Sequence, residues 1–508
     1  MPSSDLNRIV KGAGILFIGI IISKLFSYIY RLAIARIGVD EYGLFSLGLS
    51  IIGIITSIAL LGLHRGVLRY VSYYRGKEDL GRVKGVIISA LSIGSITSVI
   101  LSIILFLMSD FISLNFFHNI SLSPILKILA ISIPISIIHE IINNTIIGFQ
   151  QIKYLVISKN IVLNVAKVFL TIIFIYFSKS IIGITSIYVI SFLISLILSY
   201  YYLEFKIFPI LKSKVKSIKS GMELFSFSWP LVFSSFALLV VGWSDTIMIG
   251  LFKTVKDVGI YNTALPTAQT LYTIPQALTF LVVPTLTYLL SKENIDEFKI
   301  VYQSATKWIF MINAILFSLF ILFPKQIISV LFGGQYAGAW SSLVILSIGL
   351  FLHYSFILTV YIPSISNKTK LEMINFSTAA LINIILNLIL IPIYGIVGAA
   401  IATSISFMIA GLMYFIEGLK IIKINPLKSV YINILISILL TSAIVLFLSK
   451  NYIDPNNMIN LIILSIIFIV IYTVALILTR CFEKEDIEVM HSIERKIGLK
   501  TSFVEKFL

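Results

Sequence analysis

Fourteen times along this chain a run of about twenty or more mostly apolar residues recurs, each long enough to carry a helix through the hydrocarbon core of a bilayer. The runs fall near 12–37, 44–63, 83–108, 124–148, 154–178, 181–204, 224–252, 260–290, 300–323, 338–362, 373–392, 396–417, 429–449 and 458–479. Lipid offers nothing for a bare N–H or C=O to bond, so every backbone group must be paired within its own span. Only 12% of the residues are charged, about half the level of soluble domains. These features predict an all-α polytopic membrane protein.

The formal charge of +16 would point to nucleic acid in a soluble protein. Here the aromatic residues lie inside the apolar runs, not among the basic clusters, so no platform for stacking bases forms. The excess charge sits in the connections instead. With the N-terminus in the cytoplasm, the segments 65–84 and 206–219 and the tail after Arg480 collect the Lys and Arg, whereas 109–123 and 392–395 carry almost none. That bias predicts both termini on the cytoplasmic side of the cell membrane. Arg8 and Lys11 precede the first run, yet Lys24 interrupts it and no small-x-small site follows. The reading is an uncleaved anchor. A single cysteine, Cys481, excludes an internal disulfide and a multi-cysteine metal site.

The chain also repeats. Gly43 and Phe45 in DEYGLFSLG match Gly259 and Tyr261 in KDVGIYNTA at an offset of 216 residues. The same offset lays FISLNFF (111–117) on IISVLFG (327–333), and one residue more lays ILAIS (128–132) on ILSIG (345–349). Helices 1–6 therefore correspond to helices 7–12. Because six is even, the halves are related by an axis along the membrane normal, an arrangement that commonly encloses a midplane site. The expected organisation is an N-terminal lobe at 1–217, a C-terminal lobe at 218–424, and an appendage at 425–508 with two further helices and a basic tail.

Ionisable residues inside the runs are costly, roughly 2.5–3.5 kcal/mol for a Lys or Arg at a helix centre, and so are candidates for function. Lys24 lies twelve residues, about 18 Å, from the start of its run, too deep to reach the headgroups. Lys24, Tyr28 and Arg31 follow i, i+4, i+7 spacing and share one helix face. A cationic stripe with a hydroxyl in it suits an anion, phosphate above all, because Arg binds its oxygens in pairs. Arg31 is also close enough to the outer end to snorkel. Asp245 either neutralises Lys24 or Arg31 or meets substrate or a coupling ion directly. Glu140 either binds H⁺ or Na⁺ or pairs with Lys167. Lys127, His139, Lys307 and His353 complete the set. His64, Arg65 and Arg69 end the second run, as headgroup contacts or as a gate. Pro266, Pro275 and Pro284 recur every nine residues in the eighth run, with Gln269 and Gln276 between them; freed carbonyls there suit a bent helix lining a cavity.

No GxxxxGK[ST], HExxH or GxSxG pattern occurs, and GAG at 12–14 lacks the third glycine and the strand of a dinucleotide fingerprint. No cofactor or metal is expected. The outer loops are too short for a catalytic domain, which argues against a membrane-embedded glycan ligase or polymerase.

The segments RLAIARIGVDEYGLFSLGLS, GLHRGVLRYVSYYRGKED, SDTIMIGLFKTVKDVGIYNTA, ISVLFGGQYAGAW and LNLILIPIYGIVGAAIATSIS resemble the polysaccharide-transporter (Wzx-like oligosaccharide flippase) family of the multidrug/oligosaccharidyl-lipid/polysaccharide flippase superfamily. The resemblance covers about residues 8–480. It implies a MATE-like fold of two pseudo-symmetric six-helix lobes and alternating access. The implied cargo is a polyprenyl-linked oligosaccharide moved from the cytoplasmic to the outer leaflet. Related peptidoglycan-precursor flippases use basic residues against the lipid pyrophosphate. Lys24 and Arg31 match that role, while the second helix lacks a midmembrane Arg and Gln269 stands where some relatives carry a cation. The expected partners are the lipid-linked glycan, membrane lipids, H⁺ or Na⁺ as coupling ion, and glycan-assembly enzymes. The alternative is a cation-coupled multidrug exporter of the same fold, which needs carboxylates where this first helix presents cations.

Overall fold

The computed structural model describes residues 2–211, 215–229, 231–483 and 486, with 2–13, 231–241 and 281 as backbone alone. No strand occurs among them. In chain order the helices are α1 (Pro2–Ala35), α2 (Val39–Leu60), α3 (Leu63–Gly76), α4 (Leu80–Asn115), α5 (Leu122–Gly148), α6 (Ile152–Phe177), α7 (Ile181–Ile207), α8 (Gly221–Ser228) and α9 (Leu231–Phe252). They continue as α10 (Val255–Ser291), α11 (Ile295–Leu322), α12 (Pro324–Phe332), α13 (Gly334–Ser355), α14 (Ile357–Ile365), α15 (Thr369–Tyr394), α16 (Ile396–Ile422), α17 (Val430–Asn451) and α18 (Met458–Leu478).

Thirteen of these, among the described residues, are long and apolar enough to cross a membrane, and each answers to one expected run. The remaining run, 224–252, is divided between α8 and α9. The protein is thus an all-α multi-pass membrane protein. Most of the expected basic tail, and 212–214 of the basic segment 206–219, lie outside the described residues.

Several runs contain breaks that hydropathy does not display, as the run 338–362 does at Phe356 between α13 and α14. The backbone turns at Leu61 and Gly62, both left-handed (φ 48° and 69°), and α3 begins there. The basic stretch 65–84 is accordingly helix for most of its length, where the sequence suggested a plain connection. Leu63, Val67, Val71 and Tyr74 recur at helical spacing and are buried, leaving the charges on the other face. In α10, Gln269–Tyr272 tightens to a 3₁₀ turn between Pro266 and Pro275. Pro275 has no N–H to return to Leu271, so the α-helical ladder fails there. In α6, residues Val156–Val162 widen to a π-helix.

The chain forms two compact units: residues up to Asn262 together with Ile384–Ala399, and Thr263–Asn383 together with the chain from Ala400. In the first unit α5 is central, packed by α2, α3, α4 and α7. Ser191, Ser195 and Ser199 repeat every fourth residue on α7 and are fully buried. Small side chains at that spacing let two helices approach closely in lipid, where polar hydroxyls also serve as links. Ser195 bonds His139 Nε2 (2.8 Å), and Ser199 donates to Asn143 (3.3 Å). His139 is therefore satisfied within the core.

The two glycines that match at an offset of 216 residues meet within the first unit. A Cβ built on Gly43 would overlap the Val255 carbonyl oxygen, and one built on Gly259 would overlap the carbonyl of Val39. Val39 and Val255 stand at the same 216-residue offset as the two glycines, so the contact is reciprocal, as a two-fold axis demands. Gly43→Ala should consequently lower the yield of monodisperse protein sharply, since the obstacle is backbone and cannot rotate away. Gel filtration of Gly43→Ala beside a Gly14→Ala control, where nothing lies within 4 Å of the added carbon, checks this.

In the second unit α11 packs against the latter part of α10 and against α13, α17 and α18. Lys307 of α11 is 1% exposed, and its ammonium meets Asp486 (2.5 Å) and Glu483 (2.9 Å) from the segment after α18. Trp308 Nε1 donates to Asp486 (2.9 Å), and Lys428 closes the cluster on Glu483 (3.1 Å). The buried lysine of the ninth run is thus a tether for the C-terminal helix pair.

Candidate functional site: a cationic cavity in the first unit

A cavity of about 630 Å³ opens among α1, α2, α3, α5, α6, α7 and α9. Its charged lining consists of Arg31, Arg65, Lys167 and Glu140, with His64 beside them. Its uncharged polar lining includes Ser46, Thr56, Ser57, Ser132 and Ser136. Aromatic faces are supplied by Phe45, Tyr188, Phe192 and Trp243. A site with hydroxyls, rings and convergent cations can hold an anionic head bearing sugars, because each part of such a ligand finds a matching surface.

At one end, Lys167 places its ammonium 4.6 Å from the ring centres of both Tyr188 and Phe192, within the range of a cation–π contact. Tyr188 in turn meets Phe45 edge-on at 6.0 Å, and Phe45 meets Tyr30 at 6.1 Å. Arg31 lines this same end and is half-buried. Among the described residues no salt bridge engages Arg31, Lys167 or Arg65.

At the other end, Glu140 pairs with Lys159 at 2.7 Å and accepts from Asn144 Nδ2 at 3.0 Å. The partner is Lys159 of the π-helical turn, where the sequence suggested Lys167 as one option. Lys167, two helical turns further along α6, is held by rings instead. Burial lowers the pKa of His64 in α3, with Arg65 and Lys159 adding to the effect and Glu140 opposing it.

Of the residues singled out from sequence, Arg31, His64, Arg65, Glu140 and Lys167 all line this cavity. Lys24 is exposed on α1 and Tyr28 is half-buried, and neither is among the lining residues. Asp245 is 1% exposed and accepts from Tyr261 Oη (2.5 Å) and Asn387 Nδ2 (2.7 Å) within the first unit. Gln269 belongs to the second unit, exposed on the 3₁₀ turn. Lys127 pairs with Asp110 at 2.9 Å where α4 and α5 meet, and His353 is buried against Phe407. Sequence reasoning missed Lys159 and the rings of Tyr188, Phe192 and Trp243. Aromatics inside an apolar run carry no mark of which will face a cavity. No group of His, Cys, Asp and Glu among the described residues is arranged to hold a metal.

Residues 9–289 match the family described as polysaccharide biosynthesis protein. The chain is 25% identical over 489 residues to an uncharacterized membrane protein of Methanocaldococcus jannaschii, covering 92% of this chain and 94% of that one. It is 28% identical over 197 residues to the probable low-salt glycan biosynthesis flippase Agl15 of Haloferax volcanii, covering 39% of this chain and 42% of that relative, less than half its length. In three dimensions it is similar to the lipid II flippase MurJ in an inward closed conformation, with a TM-score of 0.72 at 19% identity, covering 92% of this chain and 99% of that one. The fold is therefore that of the multidrug/oligosaccharidyl-lipid/polysaccharide flippase superfamily, and the chain belongs to the polysaccharide biosynthesis protein family.

Proposed function

We propose that the protein is a flippase that carries a polyprenyl phosphate- or pyrophosphate-linked oligosaccharide from the cytoplasmic to the outer leaflet of the cell membrane. The observation that carries this reading is the charge of the cavity: three cations line it against one carboxylate, and that carboxylate is neutralised by Lys159. Arg31 and Lys167 hold the phosphate, the hydroxyls and rings hold the glycan, and the prenyl chain stays in lipid. The two six-helix lobes, 1–217 and 218–424, rock to alternate access, and 425–508 is an appendage to them. Both termini face the cytoplasm.

The similarity to a named glycan-biosynthesis flippase and to a lipid II flippase supports this class of cargo. A multidrug exporter of the same fold needs unpaired carboxylates to attract cationic drugs, and this cavity has the opposite sign. The chain acts as a transporter and not as an enzyme, with membrane lipids and glycan-assembly enzymes as partners. Lys24 and Tyr28 stand one to two turns before Arg31, outside the lining, and add to headgroup binding less than Arg31 does. Asp245 and Gln269 are assigned to later contacts with the cargo, and Glu140 is the group to test for H⁺ or Na⁺ coupling.

Deleting the gene and analysing lipid extracts by mass spectrometry tests this directly. The expected result is accumulation of one lipid-linked saccharide, cleared when the wild-type gene is restored. An unchanged lipid-linked pool with raised sensitivity to cationic drugs would instead establish the exporter.

A further inference from the structure

The cavity's cations are not gathered at one point. Phe45 and Leu60 both line it and both lie on α2, fifteen residues and hence about 22 Å apart along the axis. The Phe45 end carries Lys167, through the shared ring of Tyr188, and Arg31. The Leu60 end carries His64 and Arg65, four and five residues on, in the first turn of α3, with the Glu140–Lys159 pair beside them. A pyrophosphate is only a few ångströms long, so one head cannot touch both ends. Between the ends run hydroxyls, Ser57, Thr56, Ser136 and Ser132.

We propose that the cavity holds two separate stations for a phosphate or pyrophosphate head, an entry station at Arg65 and a deeper station at Arg31 and Lys167, joined by that hydroxyl track. The inference rests on the anionic-cargo reading above and deepens it. The stations differ in charge. At the first, Arg65 stands beside the Glu140–Lys159 pair, which adds no net charge; at the second, two cations stand with no carboxylate in the lining. An anion admitted at the first is therefore drawn on to the second. Lys167 becomes a substrate-binding residue, with Tyr188 and Phe192 as its positioning residues: their rings keep the ammonium in place while the station is empty, without neutralising it.

The test is the number of inorganic pyrophosphate ions bound by the full chain in detergent, measured by equilibrium dialysis with radiolabelled pyrophosphate at low salt. The wild type is expected to bind two, the deeper one at least tenfold more tightly. Lys167→Met should lose the tight class and keep the weak one, Arg65→Met should do the reverse, and Lys167→Arg and Arg65→Lys should each retain both. Farnesyl pyrophosphate should displace label from both classes, which marks them as stations for a lipid-borne head; failure to displace either class overturns that assignment. A single class weakened alike by Lys167→Met and Arg65→Met would overturn the two stations yet leave the anionic cargo standing. No binding at all by the wild type would remove both.

Discussion

Arg31→Ala is expected to abolish export of the glycan while the protein remains in the membrane, and Lys24→Ala is expected to retain most of it. The two cations lie two turns apart on one helix and differ little by sequence, so the contrast depends on the structure. Arg31 lines the cavity, half-buried and without a salt bridge among the described residues, whereas Lys24 is exposed and outside the lining. A hydrogen bond to a charged group contributes about 1.5–3 kcal/mol, so losing the guanidinium weakens the hold on a phosphate about ten- to a hundredfold. Complementation of a deletion strain, scored by glycan reaching the surface, with membrane levels checked by immunoblot, measures it. Equal losses from both substitutions would restore the reading in which the entire stripe of helix 1 forms the clamp. Full activity in Arg31→Ala would place the phosphate elsewhere.

Lys307→Met should destabilise the second unit by about 3–5 kcal/mol, the cost of breaking a buried ion pair by removing one partner. The figure applies because Lys307 is 1% exposed and Asp486 is fully buried, so the orphaned carboxylate has no water to turn to. The Trp308 hydrogen bond to Asp486 does not compensate for a missing charge. Thermal unfolding in detergent, followed by gel filtration, should show the loss. Lys307→Met combined with Asp486→Asn should recover much of it, because the second change removes the stranded charge. Glu483 keeps Lys428 in the double variant and needs no repair. A double variant no better than the single one would mean that the cluster holds α17 and α18 by shape and not by charge.

Much of the architecture was open to reading before any coordinates. Thirteen of the fourteen runs recur as helices that can span a bilayer, and the fourteenth recurs as a divided one. Gly43 and Gly259, two of the few residues matched at one offset, are in mutual contact. The breaks were less visible. The prolines of the eighth run announced a bend, and Gly62 and the end of the second run marked a turn, but the sequence did not show that the basic connection beyond it becomes α3.

The site divides in the same way. Arg31, Glu140 and Lys167 stood out because charge inside an apolar run is conspicuous. Their company did not. Glu140 was offered Lys167 and took Lys159, since the widened turn at Val156–Val162 changes the direction in which each following residue of α6 points. The sequence alone determined that this chain crosses a membrane many times, with cations where lipid should not tolerate them. Burial of apolar area is a local sum over twenty residues and survives any arrangement of the helices. Only the tertiary structure decided which of those cations share a cavity, because a helix's rotation about its axis is set by its neighbours, and a turn of 100° moves a side chain from a partner to the lipid.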